Sequence, residues 1–120
     1  MDDILNSPGM KMMRKVDAQI EDSPTDWRGD LSGNGELETN KSISVLGLGH
    51  YGMISLTGKI TREADKYKCF VQAVCLPYAN DSTEIVDSLE AAKKNIVQQM
   101  HSLAGIIALI NMTHQGQSLE

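Results

Sequence analysis

The sequence contains no apolar run long enough to span a lipid bilayer, which takes about 20 consecutive residues. It also shows no secretory signal, because residues 1–3 include two acids and no apolar segment follows them. These two absences exclude the ordinary patterns of membrane and secreted proteins. We therefore expect a cytoplasmic protein.

Cysteine and clustered positive charge are also scarce. Cys69 and Cys75 fall in one predicted strand, about 20 Å apart, which is beyond the reach of a disulfide. Two unpaired thiols are typical of a reducing compartment. The net charge of −5 argues against binding to nucleic acid or to an anionic membrane. One alternative is a nucleic-acid accessory protein. It would bind through the one short basic cluster, which consists of Lys11, Arg14 and Lys15.

The composition of the chain is that of one small globular domain. It has 120 residues, of which 41% are hydrophobic and 22% are charged. We predict a mobile or loosely packed segment over residues 1–35, an α+β domain over residues 36–113, and a tail over residues 114–120. An apolar stripe from Met10 to Ile20 predicts a short N-terminal helix, which either packs on the domain or stays mobile.

Three strand-like runs predict an antiparallel β-meander. The runs span residues 37–46, 51–61 and 66–76. In the second run Ile54, Leu56 and Ile60 alternate with polar residues, which is the pattern of a half-buried antiparallel strand. The third run is apolar on both faces, with Val71 and Ala73 on one of them.

A long C-terminal amphipathic helix is predicted to follow the third strand. Asp81 and Glu84 have the spacing of a capping box, and apolar residues recur every three or four positions from Ile85 to Ile110. Residues 103–112 are apolar nearly all round, which predicts burial on more than one side. The predicted fold class is therefore α+β, a three-stranded antiparallel meander followed by a long helix.

The amount of apolar surface predicts a partner. One helix covers one face of a three-stranded sheet, and large exposed apolar patches are uncommon on monomers. The N-terminal helix and a second copy of the chain are the two candidate covers, and we favour a homodimer. Trp27, alone in a polar loop, either anchors a partner or docks on its own sheet. The interface candidates are Trp27, Val71, Ala73, Leu103, Ile106, Ile107 and Ile110.

The glycine-rich segment 43–52 resembles the Gly-x-Gly-x-x-Gly fingerprint of dinucleotide-binding proteins. That fingerprint needs a helix to begin at its last glycine, whereas residues 53–61 alternate as a strand does. The acidic ribose partner is also missing after the next strand. We prefer a hairpin turn, and a nucleotide-binding domain using Gly47 to Gly52 is the alternative.

Two further motifs are discounted. Residues 30–41 resemble a calcium-binding EF-hand loop, but the twelfth position, which should be a bidentate glutamate, is Lys41. The tripeptide from Arg28 to Asp30 matches the integrin-binding motif over three residues only. We expect a polar turn that leads into the first strand.

No arrangement of residues predicts catalysis. His50, His101 and His114 match no metal-ligand spacing, and neither cysteine has a base nearby in the predicted strand. We predict no cofactor, no metal and no enzymatic activity. The predicted function is a non-catalytic intracellular protein-interaction module, namely an adaptor, chaperone-like or regulatory accessory protein. It would act as a homodimer and bind a further, unidentified protein. A helix, three strands and a helix recur in small accessory and prophage-encoded proteins, but this analogy of fold assigns no function.

Overall fold

The computed structural model describes residues 8–32, 35–44, 53–75 and 78–118. The α+β class is confirmed, although the sheet has five strands instead of the three predicted. The elements in chain order are α1 (Pro8–Asp22), β1 (Arg28–Asp30), β2 (Glu36–Ser44), β3 (Met53–Glu63), β4 (Lys66–Cys75), β5 (Tyr78–Val86) and α2 (Leu89–Ser118).

The five strands form one antiparallel sheet in the order of the sequence, from β1 at one edge to β5 at the other. The alternation predicted in β3 is confirmed, because Ile54, Leu56 and Ile60 are all buried. Both helices pack on this face of the sheet. Lys41 of β2 contacts α1, and the Cys69 thiol of β4 lies against a backbone carbonyl of α2.

β1 and β5 are the strands that the sequence did not predict. β1 has three residues, all exposed, in a segment rich in polar and small residues. None of the nine residues of β5 is buried, so this edge strand lacks the alternation that marks β3. The predicted helix start at Asp81 is wrong, because Asp81 and Glu84 lie in β5. Ile85, expected on the apolar stripe of the helix, is also in β5 and is 58% exposed.

The long helix begins at Leu89, so its cap lies seven residues later than the predicted cap at Asp81. Ser88 caps it, because the Ala91 N–H donates to Ser88 Oγ at 3.1 Å. The central part of the predicted stripe is confirmed as the buried line Ala92, Ile96, Met100, Leu103 and Ile107. α2 continues to Ser118, through much of the predicted tail. Within the described part of the chain, no helix is both long and apolar enough to cross a membrane.

α1 packs against α2 and β2, which is one of the two arrangements that the sequence left open for the N-terminal helix. Val16 and Ile20 of α1 have no exposed surface. The Nζ of the buried Lys41 donates to the backbone oxygens of Ile20 and Ser23, each at 2.8 Å. Residues 1–35 therefore include an anchored helix as well as β1.

Candidate functional site

Three large aliphatic side chains are exposed together on α2. Ile106 is 45%, Leu109 40% and Ile110 41% exposed. Because residues three and four positions apart share one face of a helix, they form a continuous strip, which we call the apolar ridge. Exposed apolar groups that adjoin one another mark interaction surfaces more often than single exposed residues do.

The apolar ridge lies on a flank of α2 that α1 leaves uncovered. Ala104 and Ala108 of α2 are fully buried and belong to the same core cluster as Val16 and Ile20 of α1. Their small side chains allow the two helices to approach closely. The N-terminal helix is therefore in place, yet it does not cover the ridge.

His101 of α2 joins the two helices. Its Nδ1 lies 2.7 Å from Oδ1 of Asp17, and its Nε2 lies 2.8 Å from Oε1 of Glu21. Asp17 and Glu21 are four residues apart on α1, so both carboxylates point to the same side of that helix. These contacts tie α1 to α2.

The last 24 of the 30 residues of α2, which carry the ridge, include no formally charged residue other than histidine. From Asn95 to Ser118 the sequence contains no aspartate, glutamate, lysine or arginine. In a two-fold interface, residues near the axis meet their own copies, so a charged residue there would face a like charge. On a chain of net charge −5, this surface lets two copies approach without such repulsion.

Six of the seven predicted interface residues divide into two groups. Ile106 and Ile110 lie on the apolar ridge. Four others are buried within the chain and are not available to a partner in this arrangement: Val71, Ala73, Leu103 and Ile107. Leu109, which the sequence did not single out, completes the ridge.

Trp27 is half-buried and packs against the core beside α2. Lys93 Nζ lies 6.0 Å from the centroid of its ring, within the range of a cation–π contact. The ring borders an open groove of about 440 Å³, lined by Thr25, Trp27, Lys93, Lys94, Val97 and Gln98. A partner that bound here would therefore contact this groove and not an isolated, fully exposed tryptophan side chain.

The nucleotide-binding interpretation depends on Gly47 to Gly52, which lie outside the described residues. The residues that follow form β3, which pairs antiparallel with β2 and β4. The dinucleotide fingerprint requires the N-terminus of a helix at this point. The classical form of that fingerprint therefore does not fit the strand.

The calcium-loop and integrin-type motifs form part of the β1–β2 region. Lys41, at the last position of the calcium-loop pattern, points into the core and contacts α1. Asp30 Oδ1 accepts hydrogen bonds from Ser32 N–H at 3.0 Å and Ser32 Oγ at 2.8 Å. Arg28 lies 3.4 Å from the Glu38 carboxylate. Within the described ranges, no three His, Cys, Asp or Glu residues converge as metal ligands would.

Neither Cys69 nor Cys75 forms a disulfide within the described residues, and both are buried. Burial, with a further contribution from the charge of Glu84, raises the pKa of the Cys69 thiol to about 11. Since the thiolate is the reactive form, we expect the native protein to react slowly with a thiol reagent at pH 8. Both thiols should react at once in guanidinium chloride. Rapid reaction of Cys69 in the native protein, measured by absorbance, would contradict this placement.

Comparison of the chain with protein-family models, with curated proteins and with solved structures finds no match to any of the three. The class of the protein is therefore stated from its fold and its surface alone. The chain is an α+β protein whose five-stranded antiparallel sheet carries two helices on one face. Its longer helix presents the apolar ridge.

Proposed function

We propose that this chain is a non-catalytic intracellular protein-interaction module that acts as a homodimer, in the manner of an adaptor, chaperone-like or regulatory accessory protein. The observation that carries the proposal is the apolar ridge, whose three side chains are 40–45% exposed within the described part of the chain. Removing such a surface from water is favourable in proportion to its area. Two cysteines without a disulfide in the described part of the chain support a reducing compartment.

A second copy of the chain is the occupant that best fits the apolar ridge. Residues at spacings of three and four form ridges that pack into the grooves of another helix. In a two-fold dimer the same helix supplies both surfaces, and no like charges meet along it. The basic cluster of α1 offers a weaker case for nucleic acid, because Arg14 and Lys15 share that helix with Asp17, Glu21 and Asp22.

Replacing Leu109 with aspartate is expected to dissociate the dimer. A carboxylate at the middle of the ridge would lose its hydration and face its own copy across the two-fold axis. We expect the dissociation constant to rise by about 100-fold or more, which corresponds to about 2.7 kcal/mol. Light scattering over a range of protein concentrations measures the change.

Gln98→Asp is the matched control, since it places the same charge on an exposed position of the same helix, away from the ridge. This variant should dimerise as the wild type does. Circular dichroism should show both variants folded, because Leu109 is already 40% exposed. The proposal fails if Leu109→Asp dissociates no more readily than Gln98→Asp.

A further inference from the structure

The two edges of the sheet differ in how many of their outward backbone groups are paired by other parts of the chain. On one edge, β1 covers the first part of β2 and the Gln19 side chain pairs with the backbone of Ser44. Gln19 Nε2 donates to Ser44 O at 2.5 Å, and Ser44 N–H donates to Gln19 Oε1 at 2.8 Å. On the other edge, no strand within the described residues pairs with the outer side of β5. Open edges of this kind are places where another chain can add a strand.

Alternate residues of β5 direct their backbone groups toward this open edge. The N–H of Asp81 donates to Oδ1 of Asn80 at 3.0 Å and is therefore outside the ladder with β4. In an antiparallel pair, every second residue points its N–H and C=O to the same side. Ala79, Thr83 and Ile85 consequently present theirs to the open edge as well. These four residues span about 20 Å, enough to hold a short extended peptide.

β5 itself carries only negative charge, and the nearest cations are Lys66 and Lys68 of β4, the latter opposite Ile85. Residues 69–92 contain no lysine or arginine. Lys66 forms an ion pair with Asp87 at 2.6 Å, and the other carboxylates here have no ion pair within the described part of the chain. The exposed carboxylates of β5 and the start of α2 are Asp81, Glu84, Asp87 and Glu90.

This charge decides which occupant suits the edge. A second copy paired strand to strand with β5 would bring two negatively charged strands side by side, which is unfavourable. An extended segment that carries lysine or arginine would gain both the backbone hydrogen bonds and favourable charge pairs.

We propose that the open edge of β5 binds an extended, lysine- or arginine-bearing segment of a partner protein as a sixth strand of the sheet. The proposal rests on the proposed function of an interaction module, and it names the chemistry of the second partner. It uses a surface separate from the apolar ridge, so either proposal can fail while the other stands.

The test uses the full chain and a fluorescein-labelled peptide of ten residues in which lysine and valine alternate. Fluorescence anisotropy should show binding of this peptide and not of a matched peptide with glutamate in place of lysine. Hydrogen exchange should slow at the amides of Ala79, Thr83 and Ile85 when the lysine peptide is bound.

Thr83→Pro removes one outward N–H without touching the ladder with β4, because proline is tolerated on the open side of an edge strand. We expect it to weaken peptide binding about tenfold, while Thr83→Val, which keeps the N–H, leaves binding unchanged. Thermal unfolding should be nearly the same for the two variants.

Three results would overturn the proposal. They are the absence of binding by the lysine peptide, equal binding by the glutamate peptide, and equal affinity of Thr83→Pro and Thr83→Val. Repeating the titration with Leu109→Asp separates the two proposals. Peptide binding that persists in this variant shows that the β5 site does not depend on the dimer.

Discussion

Replacing Gly58 with valine is expected to destabilise the folded protein by about 3 kcal/mol. Gly58 lies in β3 beneath α2, and a Cβ atom placed there would stand 2.5 Å from Cγ2 of Ile96. That methyl group belongs to a fully buried β-branched side chain, whose χ1 angle is restricted. The helix would have to move away from the sheet. Urea unfolding at a fixed protein concentration measures the loss.

Ser55→Val is the matched control for Gly58→Val. Ser55 is exposed on the opposite face of the same strand, so we expect a change within about 0.5 kcal/mol. Adding Ile96→Ala to Gly58→Val removes the obstructing methyl group. The double variant should therefore lose less stability than the sum of the two single losses. Wild-type stability of Gly58→Val would show that α2 does not lie this close to β3.

The second large effect is expected at Lys41. Replacing it with methionine should destabilise the protein by about 2–3 kcal/mol, because the carbonyls of Ile20 and Ser23 lose a charged donor. Methionine fills similar space, so the loss reports mainly on the hydrogen bonds. Urea unfolding measures the change, and the circular dichroism signal should report loosening of α1.

Burial of the Lys41 charge opposes the stabilisation that its two hydrogen bonds provide. Burial lowers the pKa of Lys41, while the charges of Glu21 and Asp26 act in the opposite direction. Since the folded state holds this proton less tightly than the unfolded state, the wild type gains stability as pH rises from the folded-state pKa to the ordinary value. The difference in the free energy of unfolding between the wild type and Lys41→Met should therefore increase over that pH range. Lys94→Met, at an exposed position, should change stability by no more than about 0.5 kcal/mol.

The parts of the fold that were predictable are those with one buried face. Ile54, Leu56 and Ile60 alternate because the helices cover one side of β3 and solvent covers the other. β5 has no such contrast, since it is an edge strand without a buried residue. Asp81 and Glu84 matched the spacing of a helix cap, but the residue that caps the helix in the structure is Ser88. Local spacing alone could not choose between them.

The candidate site was predictable only in part. The apolar character of residues 103–112 predicted an interface, and Ile106 and Ile110 lie on it. A helix that is apolar all round does not show which side its own sheet will take, so Leu103 and Ile107 could not be distinguished from the ridge. That choice depends on contacts between distant residues. His101 and Asp17, which hold α1 in place, are 84 residues apart.

Sedimentation equilibrium of the wild-type chain tests the homodimer most directly. We predict a mass of twice the 13.1 kDa of the chain at micromolar concentration, falling toward 13.1 kDa on dilution. A mass of 13.1 kDa at every concentration reached would contradict the account, because the apolar ridge would then remain exposed in solution.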